Sequence, residues 1–223
     1  MTSNLSFANA VSVSTPENFV GLDLGQVHDP TAIAVLQRTE YTLDRSRVTF
    51  SWNTALRLSI RHLERLPLGL PYPAMVDHVS DLVRRPELSG RTTLIADATG
   101  VGRPVVDLLR RANLPCRLMP FTITGGGQET CENGHWRVPK RDLITGLLIL
   151  LQRGELEICG HLTEAETLMK ELGNMRIKVS LDGHDTYGAW REGEHDDLVL
   201  AAALACWRGG RVEQSIFATQ PLF

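Results

Sequence analysis

The sequence predicts an α/β domain, and three observations support this fold class. Short apolar segments alternate along the chain with segments whose apolar residues recur at helical spacing. The first segment, residues 19–24, is apolar on both faces except for Asp23, as in a buried central strand. The 223 residues are 43% hydrophobic and 22% charged, which is ordinary for a globular protein with a sizeable core. We therefore expect one sheet flanked by helices.

The individual elements follow from local patterns of apolar residues, prolines and turn residues. The predicted strands are residues 19–24, 32–36, 48–60, 92–96, 116–121 and 156–158. The predicted helices are residues 74–85, a helix after Gly102, a helix from Pro139, residues 163–172 and residues 195–207. Asn133 with Gly134 is a favoured two-residue turn pair and predicts a β-hairpin, and Asp182 with Gly183 predicts a second one.

Charge, cysteine usage and segment boundaries limit the class of protein. The net charge of -3 argues against a strongly basic nucleic-acid coat. The four cysteines form no CxxC pair, which indicates reduced thiols in a cytosolic protein without a zinc knuckle. No apolar run approaches the length of a membrane span. We expect residues 1–18 to form a flexible N-terminal tail, residues 19–208 one domain, and residues 209–223 a C-terminal tail.

Aspartates stand where two predicted strands and one predicted helix end or begin. If the strands containing Asp23 and Asp97 are parallel neighbours, both carboxylates lie at the edge where open α/β sheets place their sites. The last helix begins with Asp196 and Asp197, and its alanine-rich face would let it lie close to the sheet. For Asp196 or Asp197 alone, a role as helix cap or dipole partner is the alternative.

Converging carboxylates predict a site for divalent cations. Three or four such groups repel one another and take up protons unless a cation is present. Mg²⁺ and Mn²⁺ suit an all-oxygen site better than zinc does. Two such ions about 3.5–4 Å apart can activate a water and stabilise the leaving oxygen of a phosphodiester. The predicted reaction class is therefore metal-dependent phosphodiester hydrolysis.

Basic residues near a glycine-rich turn are candidates for contacts with a DNA backbone. Arg137, Lys140 and Arg141 follow the turn at residues 125–127. This turn lacks the Lys and Ser/Thr of a phosphate-binding P-loop, so we interpret it as a mobile loop near the site. His195 is interpreted either as a residue that orients a water or phosphate, or as a helix cap.

Four motifs in order resemble one known family. They are GLDLG followed by Asp29 and Thr31, then IADATGVGRPVVDLL, then VPK at residues 138–140, and finally HDDLVLAAALA. Over residues 19–207 they resemble the nuclease domain of large terminase subunits of tailed phages. The resemblance implies an RNase H-like mixed sheet of about five main strands flanked by helices, with an added β-hairpin. It also implies metal-binding acids at Asp23, Asp97, Asp196 and Asp197.

The chain departs from the family pattern in two respects. Leu200 stands where many relatives carry another acid, so Asp196 is a candidate to replace that ligand. The chain also contains no GxxxxGK[ST] motif, so the packaging ATPase domain of a full terminase is not expected within it. We interpret the sequence as an excised nuclease domain or a stand-alone relative.

The resulting functional prediction is a Mg²⁺- or Mn²⁺-dependent endonuclease that cleaves double-stranded DNA with little sequence specificity. Its catalytic residues would be Asp23, Asp97 and Asp197. Its expected partners are a packaging ATPase domain or portal and small terminase proteins, in the cytoplasm of a phage-infected or prophage-carrying bacterial host. The alternatives are a nuclease similar to Holliday-junction resolvases, and a non-catalytic nucleic-acid-binding module on the same fold.

Overall fold

The structure is a computed structural model that describes residues 10–25, 29–46, 50–88, 90–100, 102–179, 185–189 and 195–211, with only the backbone described for 176–179 and 185–189. Its strands are β1 (Ser12–Val13), β2 (Glu17–Asp23), β3 (Ala32–Arg45), β4 (Trp52–Arg65), β5 (Thr92–Asp97), β6 (Arg117–Thr124), β7 (Thr130–Glu132), β8 (His135–Pro139), β9 (Leu156–Ile158), β10 (Met175–Val179) and β11 (Asp185–Ala189). Its helices are α1 (Tyr72–Val83), α2 (Gly102–Arg111), α3 (Lys140–Gln152), α4 (Ala165–Asn174) and α5 (Asp197–Gly209).

Nine strands form one mixed sheet in the order β7-β8-β6-β5-β2-β3-β4-β9, and β1 pairs with the far part of β3. Strands β2, β3 and β4 are antiparallel, whereas β2, β5, β6 and β8 run parallel, as do β4 and β9. Helices α1 and α2 contribute to the core on one face, and α3 and α5 to the core on the other. This architecture confirms the predicted α/β class with a mixed sheet.

The central strand β2 brings the first two predicted site residues together. It pairs with β5 in parallel, with Leu22 opposite Ala96. Asp23 and Asp97 come next on the two strands, so both lie at the carboxyl-terminal edge of the sheet. The predicted parallel pairing of these two strands is confirmed.

Helix α5 lies unusually close to β2 because small residues line the contact. A Cβ atom on Gly21 would lie 1.9 Å from the carbonyl oxygen of Ala201, so only glycine fits there. Ala201, Ala202 and Ala205 are completely buried. Because aspartate has a short side chain, this close packing is what brings the start of α5 to the edge of the sheet.

Both predicted hairpins form, as far as the structure describes them. Between β7 and β8, Asn133 and Gly134 have φ angles of 52° and 78°, the left-handed pair that a two-residue hairpin turn requires. Strands β10 and β11 pair antiparallel, and the predicted turn at Asp182 and Gly183 lies outside the described residues.

The ordered fold extends beyond several predicted boundaries. Strand β3 continues to Arg45 rather than ending at residue 36, because its far half is partly exposed and therefore carries polar residues. Its partner β4 begins at Trp52 rather than at residue 48. Strand β1 and the first residues of β2 lie within the predicted N-terminal tail, where they pair with β3.

The end of α5 is stabilised by contacts of residues on both sides of the predicted domain boundary at residue 208. Arg211 donates to Glu129 Oε1 at 2.6 Å and lies 4.0 Å from the centre of the Trp207 ring. Trp207 donates its indole N–H to Glu129 Oε2 at 3.2 Å. The predicted C-terminal tail therefore begins inside the folded domain. Within the described residues, no helix is both long and apolar enough to cross a membrane.

Candidate active site

Asp23 lies at the centre of a group of acids at the carboxyl-terminal edge of the sheet. It ends β2 and is half-buried. Burial raises the pKa of its carboxyl well above the ordinary value, and the negative charges of Asp97, Asp196 and Asp197 raise it further. The ammonium group of Lys140 opposes this effect. The three other residues predicted as ligands therefore lie close enough to Asp23 for their charges to act on its carboxyl.

Asp97 is buried and held by the loop that follows β5. Its Oδ1 accepts hydrogen bonds from the Thr99 backbone N–H at 2.9 Å and from the Thr99 hydroxyl at 2.6 Å. Burial raises the pKa of Asp97, and these hydrogen bonds partly offset the increase. The Thr99 hydroxyl also accepts the Ile123 N–H at 3.0 Å, which fixes the loop against β6.

Asp196 stands at the N-cap position of α5 but does not act as a side-chain cap. The side chain makes no capping hydrogen bond. Instead its Oδ2 accepts a hydrogen bond from Lys140 Nζ at 2.6 Å, and Lys140 is the first residue of α3. The Asp196 side chain therefore does not act as a simple helix cap.

Asp197 is nearly inaccessible and is joined to two residues that the sequence analysis did not select. Its Oδ2 accepts a hydrogen bond from Arg65 Nε at 2.7 Å. The same guanidinium donates through Nη2 to Glu171 Oε1, and Glu171 Oε2 accepts the Val199 backbone N–H at 3.1 Å. Burial raises the pKa of Asp197, and Arg65 opposes the increase.

Glu171 is a fifth acid in this region. It is 7% exposed on α4, where Leu168 and Leu172 place it on the inward apolar face of the helix. Burial and the charge of Asp197 raise its pKa to about 7. Because Glu171 and Asp197 share the one guanidinium of Arg65, one of these carboxyls binds a proton more readily than usual.

The observed strand register places Arg65 in line with Asp23, although the predicted strand ended at residue 60. Asp23 is opposite Ala32 in β3, and Ala32 is opposite Arg65 in β4. Asp23 and Arg65 therefore lie in one row across β2, β3 and β4. Glu171 carried a weaker signal, an acid at helical spacing between leucines.

His195 precedes the two helix acids. Its Nδ1 is 3.7 Å from Asp197 Oδ1 and 3.7 Å from Asp29 Oδ1. These distances are too long for direct hydrogen bonds. They place the imidazole between two carboxylates at the rim of the site, so its role stays a prediction.

The three candidate DNA-binding residues have different surroundings. Arg137 is exposed on β8, and Arg141 pairs with Asp142 at 3.2 Å on the surface of α3. Lys140 is directed to Asp196 in the acid cluster. A DNA contact stays a prediction for all three, with Lys140 already engaged by a carboxylate.

Further cations lie on the side of the site nearest β8. The pKa of His135 is lowered, first by burial and then by the positive charges of Arg137, Arg103 and Arg110. His135 Nε2 lies 2.7 Å from the Thr122 hydroxyl. Neither Arg103 nor Arg110 was among the DNA-binding candidates predicted from the sequence.

The acid cluster has the donor chemistry of a site for hard cations. All its donors are carboxylate oxygens. Burial raises the pKa of Asp23, Asp97 and Asp197, and the charges of neighbouring carboxylates raise the pKa of Asp23 further. Within the described part of the chain, no three His, Cys, Asp or Glu side chains are already arranged to hold a metal ion. Asp196 and Asp197 are instead paired with Lys140 and Arg65.

Comparison with known proteins identifies the fold. The sequence matches no protein-family model and no curated protein. The chain shares its fold with solved nuclease domains of large terminases. One is the large terminase nuclease from thermophilic phage G20c with bound magnesium, with a TM-score of 0.58 and 22% identity over 89% of this chain and 86% of that one. Another is the Thermus phage P74-26 large terminase nuclease domain, with a TM-score of 0.54 and 22% identity over 88% and 82% of the two chains.

Proposed function

We propose that this protein is a Mg²⁺- or Mn²⁺-dependent endonuclease that hydrolyses phosphodiester bonds of double-stranded DNA, as in phage genome packaging. The observation that carries the proposal is that Asp23 and Asp97 end neighbouring parallel strands, with Asp196 and Asp197 at the start of α5 close enough for their charges to act on Asp23. The likeness in fold to large terminase nucleases supports it, and one of those structures contains magnesium.

Asp23, Asp97 and Asp197 are the proposed catalytic residues, and Asp196 is the proposed additional ligand. Bound divalent ions would activate a water and stabilise the leaving oxygen of the phosphodiester. The protein's own contribution is to hold these carboxylates on two strands and one helix, so that their charges meet at one point. Thr99 fixes the orientation of Asp97.

The proposed substrate is duplex DNA, recognised through its phosphates. Arg137, Lys140 and Arg141 are the proposed contacts, and such contacts carry no base information, so cleavage would show little sequence preference. The proposed partners are a packaging ATPase domain or portal and small terminase proteins.

Cleavage of supercoiled plasmid tests the proposal. We expect nicking and linearisation with Mn²⁺ or Mg²⁺ and intact plasmid in EDTA, with a relaxed circle cleaved as well. A four-way junction included in the same assay should be cleaved no better than linear duplex. Undiminished cleavage in EDTA would contradict the metal mechanism, and junction-selective cleavage would favour a resolvase.

Neutralising the strand acids is the accompanying test. Asp23→Asn and Asp97→Asn should each remove most cleavage, because asparagine keeps the shape but loses the charge that binds the cation. The melting temperature of the metal-free protein should stay the same or rise, since the wild-type carboxylates repel each other. Asp107→Asn is the control, because Asp107 is exposed and pairs with Arg110. Full activity in either strand variant would end the proposal.

A further inference from the structure

A second layer of charged residues lies behind Asp197. Glu171 comes from α4 and is nearly inaccessible, yet both of its carboxylate oxygens are used. One accepts from Arg65 and the other from the Val199 N–H. Glu171 therefore connects the end of β4 to the first turn of α5, where the helix acids are located.

Arg65 extends this hydrogen-bond network to Asp197. Its Nε donates to Asp197 Oδ2 at 2.7 Å while its Nη2 donates to Glu171. The other oxygen, Asp197 Oδ1, has His195 Nδ1 only at 3.7 Å, beyond hydrogen-bonding distance. The guanidinium thus occupies Oδ2 of Asp197, whereas Oδ1 lies on the side of His195.

We propose that Glu171 is a positioning residue for the cation site, acting through Arg65 to hold Asp197 with Oδ1 presented to the metal. This inference rests on the proposed function. Ligand carboxylates in metal sites are commonly oriented by hydrogen bonds from an outer layer, whose loss typically costs 10–100-fold in metal affinity. The planar guanidinium of Arg65 suits this task because its donors point in fixed directions.

A simple charge effect makes different predictions for the same variants. If charge alone mattered, E171Q would weaken cation binding because it removes a negative charge. R65K would leave binding unchanged because the positive charge is kept. If positioning matters, R65K also weakens binding, since one ammonium group cannot reproduce the fixed fork between Asp197 and Glu171.

The experiment is a Mn²⁺ titration of the full chain, followed by electron paramagnetic resonance. We expect E171Q and R65K each to bind Mn²⁺ about 10–100-fold more weakly than wild type. The matched control is E166Q, because Glu166 lies exposed on the same helix and pairs only with Lys170 among the described residues. Plasmid cleavage by E171Q and R65K should recover at saturating Mn²⁺, which a damaged fold would not allow.

Four results would overturn the inference. Unchanged affinity in R65K together with weaker binding in E171Q would reduce the network to a charge effect. Tighter Mn²⁺ binding in R65K would mean that Arg65 competes with the cation. A wild-type protein that binds no Mn²⁺ would remove the proposed function and this inference together, whereas normal wild-type binding with unaffected variants removes the inference alone. If E171Q fails to fold, R65K decides the question.

Discussion

The consecutive residues Asp196 and Asp197 differ in burial and in their cationic partners. Asp197 faces Arg65 and is almost inaccessible, whereas Asp196 is half-buried and pairs with Lys140 of α3. The pair thus reaches towards β4 on one side and α3 on the other. The Asp196 carboxylate makes no capping hydrogen bond to the helix.

The variant Asp196→Asn distinguishes a ligand from a cap. We expect cleavage to fall while the melting temperature holds, because the side chain makes no capping hydrogen bond. Loss of a true cap would cost about 0.5–2 kcal/mol of stability and leave the chemistry intact. Asp197→Asn should remove most activity. Cleavage rate and thermal unfolding are measured together, and a destabilised but fully active Asp196→Asn would refute this assignment.

The stability of the metal-free protein should depend on Glu171 between about pH 4.5 and about pH 7. The pKa of this carboxyl rises from the ordinary 4.5 to about 7 in the folded state, so the folded state binds the proton more tightly. Its contribution to stability is complete below about pH 4.5 and is lost as the pH rises through about 7.

Chemical denaturation in EDTA at pH 5 and pH 8 measures this contribution. The stability of wild type relative to Glu171→Gln should fall between the two pH values, since glutamine does not titrate. A constant difference between the two proteins would contradict the raised pKa.

The acids were predictable from the sequence and their counter-charges were not. Asp23 stood out because it interrupts an apolar strand, and a carboxylate there needs a partner. Arg65 lies 132 residues from Asp197 and 106 from Glu171. Such pairs depend on strand register and helix placement, which local patterns do not contain.

At the scale of elements, the site depends on how closely α5 approaches the sheet. The apolar patterns were enough to locate β2, β5 and α5. The lengths of β3 and β4 were not predictable, because their outer halves carry the polar residues typical of loops. The sequence indicated this close approach only through the alanine-rich face of α5, and the contact at Gly21 was not predicted.

Gly21→Ala should push α5 away from the sheet. The added methyl would lie 1.9 Å from the Ala201 carbonyl oxygen, and overpacking of this kind typically costs about 1–3 kcal/mol. We expect a lower melting temperature and weaker Mn²⁺ binding, because Asp197 would move with the helix.

Gly146→Ala in α3 is the matched control. No atom lies within 4 Å of a Cβ at Gly146, so this variant should gain roughly 0.5–1 kcal/mol from better helix propensity. If Gly21→Ala were as stable as wild type, α5 would not be packed as closely against β2 as the structure indicates.

At the scale of the whole molecule, the proposed function requires a slightly acidic protein to bind a polyanion. The net charge is -3, so attraction has to come from local groups such as Arg103, Arg110 and Arg137 beside the site. A local patch of this kind is screened readily by salt.

Duplex binding should therefore be weak and should fall steeply with added salt. Fluorescence anisotropy with a labelled duplex in EDTA, at 50 and 200 mM salt, measures this dependence. Arg137→Gln should lower both the affinity and the slope, with Arg153→Gln on the end of α3 as a control of equal charge. Tight, salt-insensitive binding to one defined sequence would contradict binding through phosphates.

The acids come from β2, β5 and the start of α5, the last of the described elements. During synthesis, a nascent chain that already contains Asp23 and Asp97 lacks the helix acids and the Glu171–Arg65–Asp197 connection. Under the proposed function, cation binding could then begin only when α5 has docked over Gly21. A polypeptide interrupted before that helix would not cleave DNA, so the order of translation would postpone the proposed chemistry until α5 is made.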